Sequence, residues 1–468
     1  MQSDFSEDQK YIENLRKRFE NSLKKGTNSF FDETELDLLI DHYFFSGELK
    51  KSNQVIDFAL KTYPEVATFY VKKAQSFMYE GKPKKALEML IFAEKIEPDS
   101  SEIFVEKANV YQNLGYYKRA INEYKKALKD HEYPEYVYQQ MGHVYLLELN
   151  YKKAIECFNR SIRIDPYNIE VLNLLPSVYE LDDRIEELLP LMNEVIDLHP
   201  YSYEAWANLG YIYSKLKQYE NALEAYEYAI AIDPLSGMAY YDKAGVYESL
   251  GRFEEAVDHY LEVVKHDVPV ARVFFNLGNC YERLKKIDQA ISYYHKAVEL
   301  EDDFAEAWIS LAMLNYERGF GFIAVKYARK AVECDKENPA TWFMLADILR
   351  NCDAYEDAEK AFQTVISLEP DFPDAHLEYA IMISNLGLPK KALSILLKGL
   401  KFNENDTDAF YLYWLSAIQI KAGQLKDSYK TFDNALSINF DLHESFFEEM
   451  PELRENQVLI EMVENHRV

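Results

Sequence analysis

Apolar and small residues return along this chain every 34 positions. With Glu33 set as position 1, alanine recurs at position 20 as Ala86, Ala120, Ala154, Ala222, Ala256, Ala290, Ala324, Ala358 and Ala392. Aromatic side chains fill position 11 without a break from Tyr43 through Phe77, Tyr111, Tyr145, Tyr179, Tyr213 and Tyr247 to Tyr281. Proline marks position 32 at Pro64, Pro98, Pro166, Pro200, Pro234 and Pro370. Three residue types holding phase over such a length define a repeat array, in which each unit buries its apolar face against its neighbours. The spacing predicts two antiparallel helices per unit. Glycine at position 15 (Gly47, Gly81, Gly115, Gly251, Gly319, Gly387) supplies a left-handed turn after the first helix. Asp-Pro or Glu-Pro at positions 31–32 stops the second.

Helix pairs pressed against a third helix need small residues where the axes approach. Positions 8 (Ala74, Gly142, Gly210, Gly278), 20 and 27 (Ala59, Ala93, Ala229) provide them, and larger rings at positions 11 and 24 fill the spaces between. This pattern resembles the tetratricopeptide repeat (TPR) family: Trp206, Leu209, Gly210, Tyr213, Ala222, Tyr226, Ala229 and Pro234 fill every signature position of one unit. The resemblance implies an all-α fold, a right-handed superhelical solenoid of about twelve helix pairs with capping helices at both ends. The expected organisation is an N-terminal capping helix over 1–32, repeats one to four over 33–168, a degenerate repeat five over 169–202, repeats six to twelve over 203–442, and C-terminal capping helices over 443–468. Two extra residues, 407–408, precede the weaker last repeat. The Tyr- and Lys-rich style of the units resembles repeat proteins of Bacteroidetes-type bacteria.

Repeat five breaks the pattern. Pro176 stands at the small position 8, Leu188 replaces the position-20 alanine, and Pro190 falls in the expected second helix. Proline inside a helix removes a hydrogen bond and crowds the preceding turn, so a kink or a flexible joint is expected here. At the ends, Tyr11, Ile12, Leu15, Phe19 and Leu23 form one apolar helical stripe, and Phe446, Phe447, Met450, Leu453 and Leu459 another, as caps over exposed terminal repeats require.

Composition then narrows the function. Of 468 residues, 80 are acidic and 52 basic, a net charge of −28. That balance disfavours nucleic acid, whose binding needs clustered Lys and Arg. The N-terminal stretch lacks the apolar core of a secretory signal, no apolar run is long enough for membrane insertion, and four scattered cysteines lack a C-x-x-C pair. A cytoplasmic location follows as the expectation. No His or Cys spacing suits a metal, and no phosphate loop or nucleophile elbow occurs, so neither metal, cofactor nor catalytic residue is expected and the chain reads as no enzyme. His143, at a groove position, is the one imidazole to watch. Some glycosyltransferases carry such repeats beside a catalytic domain, but here repeats and caps occupy the chain.

In the resembled family, positions 2, 5, 9, 12 and 13 of the first helix line a concave groove. The implied partner-binding residues are Tyr241, Arg272, Phe275, Asn279, Arg283, Ile309, Phe343, Arg350, Leu377 and Tyr413, concentrated in the rear repeats. A tightly wound array can instead pack the position-5 aromatics against neighbouring repeats. The Lys and Asn clamp with which some relatives hold chaperone C-termini is missing. The leading expectation is a scaffold or adaptor binding a protein or peptide partner in that groove. The rivals are a self-associating homo-oligomer and a regulatory subunit of an enzyme complex.

Overall fold

The computed structural model describes residues 2–25, 30–266, 270–402 and 409–466. The extra pair 407–408 lies outside them. Among the described residues the chain is all α, with twenty-seven α-helices, two short 3₁₀ turns and no strand. First helices begin at position 1 of every repeat but the fourth, which starts one residue early at Pro134. Second helices begin at position 17 of every repeat but the fifth. Consecutive helices pack in pairs, and the chain forms two compact units, Met1–Pro234 and Leu235–Val468.

One turn builds every pair. Position 15 has positive φ in all twelve repeats: seven are glycine, and the others are Leu149, Asp183, Lys217, Lys285 and Asp353. The N–H of position 16 reaches back to the position-11 carbonyl, as in Glu48 to Tyr43 (2.8 Å), Arg184 to Tyr179 (2.9 Å) and Lys286 to Tyr281 (2.8 Å). That bond satisfies a carbonyl orphaned by the helix end. The small residue at position 8 has a specific cause. In repeats four, six and eight the position-24 ring of the same repeat lies across it, so a Cβ on Gly278 would stand 2.4 Å from Tyr294 Cε1, and one on Gly142 2.5 Å from Phe158 Cε1.

In the first unit, helix Gln2–Lys25 packs Leu15 and Phe19 against Leu36, Leu39 and Tyr43, while Tyr11 and Leu23 remain exposed. Repeat five stays folded in this unit. Its first helix, Ile169–Leu181, runs through Pro176. The missing Pro176 N–H leaves the Leu172 carbonyl free four residues earlier, and Asn208 Nδ2 of the next repeat donates to that oxygen at 2.8 Å. Pro190 does not interrupt the second helix as expected. A 3₁₀ turn, Ile185–Leu188, comes first, and the α-helix starts only at Leu189, which puts Pro190 in its first turn, where no internal bond is lost.

In the second unit, helices Leu442–Glu449 and Gln457–His466, with the 3₁₀ turn Pro451–Glu455 between them, send Phe446, Phe447, Met450, Leu453 and Leu459 into the core around Phe432 and Tyr413.

Candidate protein-interaction surface

The second unit presents the first helices of repeats seven to ten: Gly237–Ser249, Ala271–Arg283, Ala305–Glu317 and Pro339–Asn351. Position 5 of each carries an apolar or aromatic side chain, Tyr241, Phe275, Ile309 and Phe343, and all four are half-buried. Each aromatic one rests on the position-24 ring of its own repeat: Tyr241 on Tyr260 at 5.5 Å, Phe275 on Tyr294 at 5.6 Å, and Phe343 on Phe362 at 6.0 Å between centroids. Phe275 and Phe343 also meet the rings that end their repeats, Phe304 at 5.1 Å and Phe372 at 5.2 Å. The row is therefore half core and half surface.

Two residues of the expected groove are core instead. Leu377 is buried, and Tyr413 is 1% exposed, packed among Phe432 and Phe446 with its hydroxyl donated to the Asn439 carbonyl. The C-terminal helices supply the Phe446 ring that covers Tyr413, which periodicity inside the repeats could not reveal.

Beneath the row runs a polar seam. Asn276 Nδ2 donates to the Tyr241 and Tyr260 hydroxyls, each at 3.1 Å, and Tyr260 donates to Glu248 Oε2 at 2.8 Å. Cys280 Sγ donates to the other oxygen of Glu248 at 3.1 Å. One repeat on, the Tyr294 hydroxyl lies 2.8 Å from Asn279 Oδ1 and 2.7 Å from Glu282 Oε2. Burial, then the Glu248 carboxylate they share, push the Tyr260 hydroxyl and the Cys280 thiol well above their ordinary values. Burial and the bond to Glu282 do the same for Tyr294. Such groups hold their protons and orient the face; they do not act as nucleophiles.

The cations differ among themselves. Arg272 stacks on Phe304 at 4.5 Å and pairs with Glu306 at 3.3 Å. Arg350 is held by Asp347 and Glu378, and burial raises the Glu378 carboxyl against the pull of that arginine. Arg283 is exposed, lies 5.4 Å over the Phe253 ring, and has no ion-pair partner among the described residues. Exposed Met313 and Tyr316 continue the face. The periodicity did not single out Glu248, Glu282, Asn276, Phe304, Phe372, Met313 or Tyr316. The usable signal was a glutamate at position 12 ahead of a position-24 tyrosine. In the first unit, His143 lies 3.5 Å from Glu170 and edge-on to Phe158, and among the described residues no group of His, Cys, Asp and Glu is disposed to hold a metal.

These paired helices, with a shared turn and a recurring ring-on-small-residue contact, define a helical-repeat protein. Tetratricopeptide repeat family models match residues 101–129, 136–168, 203–234, 239–267, 271–304 and 327–360. Over these stretches the chain carries tetratricopeptide repeats. A 98-residue stretch is 31% identical to human Protein O-mannosyl-transferase TMTC3; it covers 20% of this chain and 10% of that protein. Among solved structures, the C-terminal part of a TPR repeat-containing protein from Cytophaga hutchinsonii is similar, with 17% identity, 49% and 94% of the two chains covered and a TM-score of 0.44. Yeast Tom70 is similar over 92% of this chain and 98% of its own, with 16% identity and a TM-score of 0.41. YrrB, a TPR protein with an unusual peptide-binding site, is 22% identical over 39% of this chain and 95% of its own, with a TM-score of 0.34.

Proposed function

We propose that this chain is a non-catalytic interaction scaffold that captures an extended segment of a partner protein on the first-helix face of repeats seven to ten. The observation that carries the reading is the row Tyr241, Phe275, Ile309 and Phe343, whose three rings each rest on a position-24 ring, Tyr241 being bonded by Asn276 as well, while each side chain stays partly open. An aromatic row already fixed in place loses little side-chain entropy on binding, so modest contact area can yield an affinity of about micromolar. Asn279 and the unpaired Arg283 at the edge supply polar anchors for a carbonyl or a carboxylate of the segment. The reading takes the chain as a binding protein rather than an enzyme, and TPR arrays serve generally as protein-interaction scaffolds. The four free cysteines, two of them buried, suit the cytoplasm, where thiols persist; among the described residues no helix is long and apolar enough to cross a membrane.

The test is crosslinking and affinity capture from source cells, with the full chain beside an Arg283→Glu, Met313→Asp, Tyr316→Ser variant. All three changes lie on the open face, so helicity should be unchanged while the captured partner is lost. Undiminished capture of the same partner by the variant overturns the reading.

A further inference from the structure

The first unit carries a second surface, on the loops that join one repeat to the next and the first turns of the helices that follow them. Position 33, the residue after the loop proline in the six repeats that carry one, is acidic in six of the twelve repeats: Glu65, Asp99, Asp303, Glu337, Asp371 and Asp441. Three successive repeats place a tyrosine there instead. Tyr133 is 55% exposed, Tyr167 70% and Tyr201 87%. The Tyr167 ring lies 3.8 Å from that of His199, and Tyr133 packs edge-on to His131, so two of the rings are propped outward by loop imidazoles. Ile169 and Leu198, both more than half exposed, share a cleft with Tyr167 and Tyr201. A row of open rings and aliphatic groups of this length exceeds what scattered surface residues explain.

Charge says what covers it. Glu204 lines the Tyr167 cleft, and Glu97, Asp99, Glu102, Asp130 and Glu132 line the neighbouring cleft with Tyr133. No lysine or arginine lines either cleft, and none of these carboxylates stands in an ion pair among the described residues. An apolar partner would strand those carboxylates away from water, and an anionic one would be repelled. A guanidinium answers both features, since its flat face stacks on tyrosine while its N–H groups bond carboxylates.

We infer that this loop edge of the first unit docks an extended arginine-rich segment of another protein, with its guanidinium groups over Tyr133, Tyr167 and Tyr201 and its charge met by the flanking carboxylates. The proposal does not depend on the first-helix face of the second unit.

Fluorescence anisotropy of a fluorescein-labelled alternating Arg-Gly peptide of about twelve residues, titrated with the full chain at about 150 mM salt, reads the affinity with long-range attraction screened. Tyr133→Ser, Tyr167→Ser, Tyr201→Ser together keep the net charge and should weaken binding by about ten-fold or more, because the stacking contribution is lost. The corresponding triple Phe variant keeps the rings and should bind like the native chain. Hydrogen exchange with peptide present should slow at 130–134, 165–170 and 199–204. Equal affinity of the Ser variant and the native chain would overturn the inference, as the peptide would then be answering only to net charge. Protection confined to the first helices of the second unit, no binding at all, or concentration-dependent self-association that the Ser variant abolishes would each overturn it too.

Discussion

At the scale of single residues, the position-15 turn shows how register can override preference. Leu149 holds φ 55° with an exposed apolar side chain, in a conformation that costs an L residue about 1–2 kcal/mol and glycine almost nothing. Leu149→Gly should therefore stabilise repeat four by about 0.5–1 kcal/mol, less glycine's extra unfolded-state entropy. Slower amide exchange in the helices on either side of the turn, 134–147 and 151–164, is the expected reading. The glycines at this position, Gly423 of the last repeat included, were legible in the sequence. The non-glycine left-handed residues were not, because their conformation follows from the phase of the array and not from their chemistry. A second residue-scale effect concerns Asp242, in helix Gly237–Ser249, whose carboxyl burial pushes up to about 6. The unfolded chain releases this proton near pH 4 and the folded chain near pH 6, so the folded state binds more protons between those values. Stability contributed at low pH is then lost as pH rises through that window, and the penalty is complete above it. Asp242→Asn should flatten the loss of unfolding free energy between pH 4 and 7, by up to about 3 kcal/mol at the upper end. An unchanged pH profile would show that the carboxyl is solvated.

At the scale of elements, repeat five is held together by a bond that no pattern of apolar positions could announce. Asn208 fills the carbonyl that Pro176 leaves open, so the two residues should be energetically coupled. Asn208→Leu should cost about 1–2 kcal/mol in the native chain, where a buried acceptor is stranded. It should cost clearly less in Pro176→Ala, where the restored backbone N–H would take the Leu172 carbonyl itself; a double-mutant cycle in urea measures the difference. Additive effects would mean the bond is idle. Amide exchange at 185–188 faster than at the matching residues of repeats four and six is the outcome that would make this 3₁₀ turn a joint. The candidate face was partly legible at the same scale. Periodicity located Tyr241, Phe275, Ile309 and Phe343, but could not tell that Leu377 and Tyr413 lie in the core, because what buries them depends on packing outside their own helices.

At the scale of the whole molecule, the paired-helix architecture was the most legible property, since a 34-residue phase leaves few other ways to bury the apolar positions. The charge of −28 acts on everything at once. Self-repulsion opposes the compact state, and added salt screens it over about 10 Å at 0.1 M. Raising sodium chloride from about 20 to about 300 mM should lift the thermal midpoint by a few degrees; a falling midpoint would mean that surface ion pairs such as Lys215–Glu180, 2.6 Å apart, contribute more than repulsion does. The contact of the position-24 ring with the position-8 glycine of its own repeat, made in repeats four, six and eight, has a mechanical consequence. Each repeat closes a piece of core within itself, so a chain pulled from its ends has no single clasp to break. It should lengthen in a staircase, each yielding repeat releasing 34 residues, or about 110 Å of slack, while the repeats not yet opened keep their folded turns.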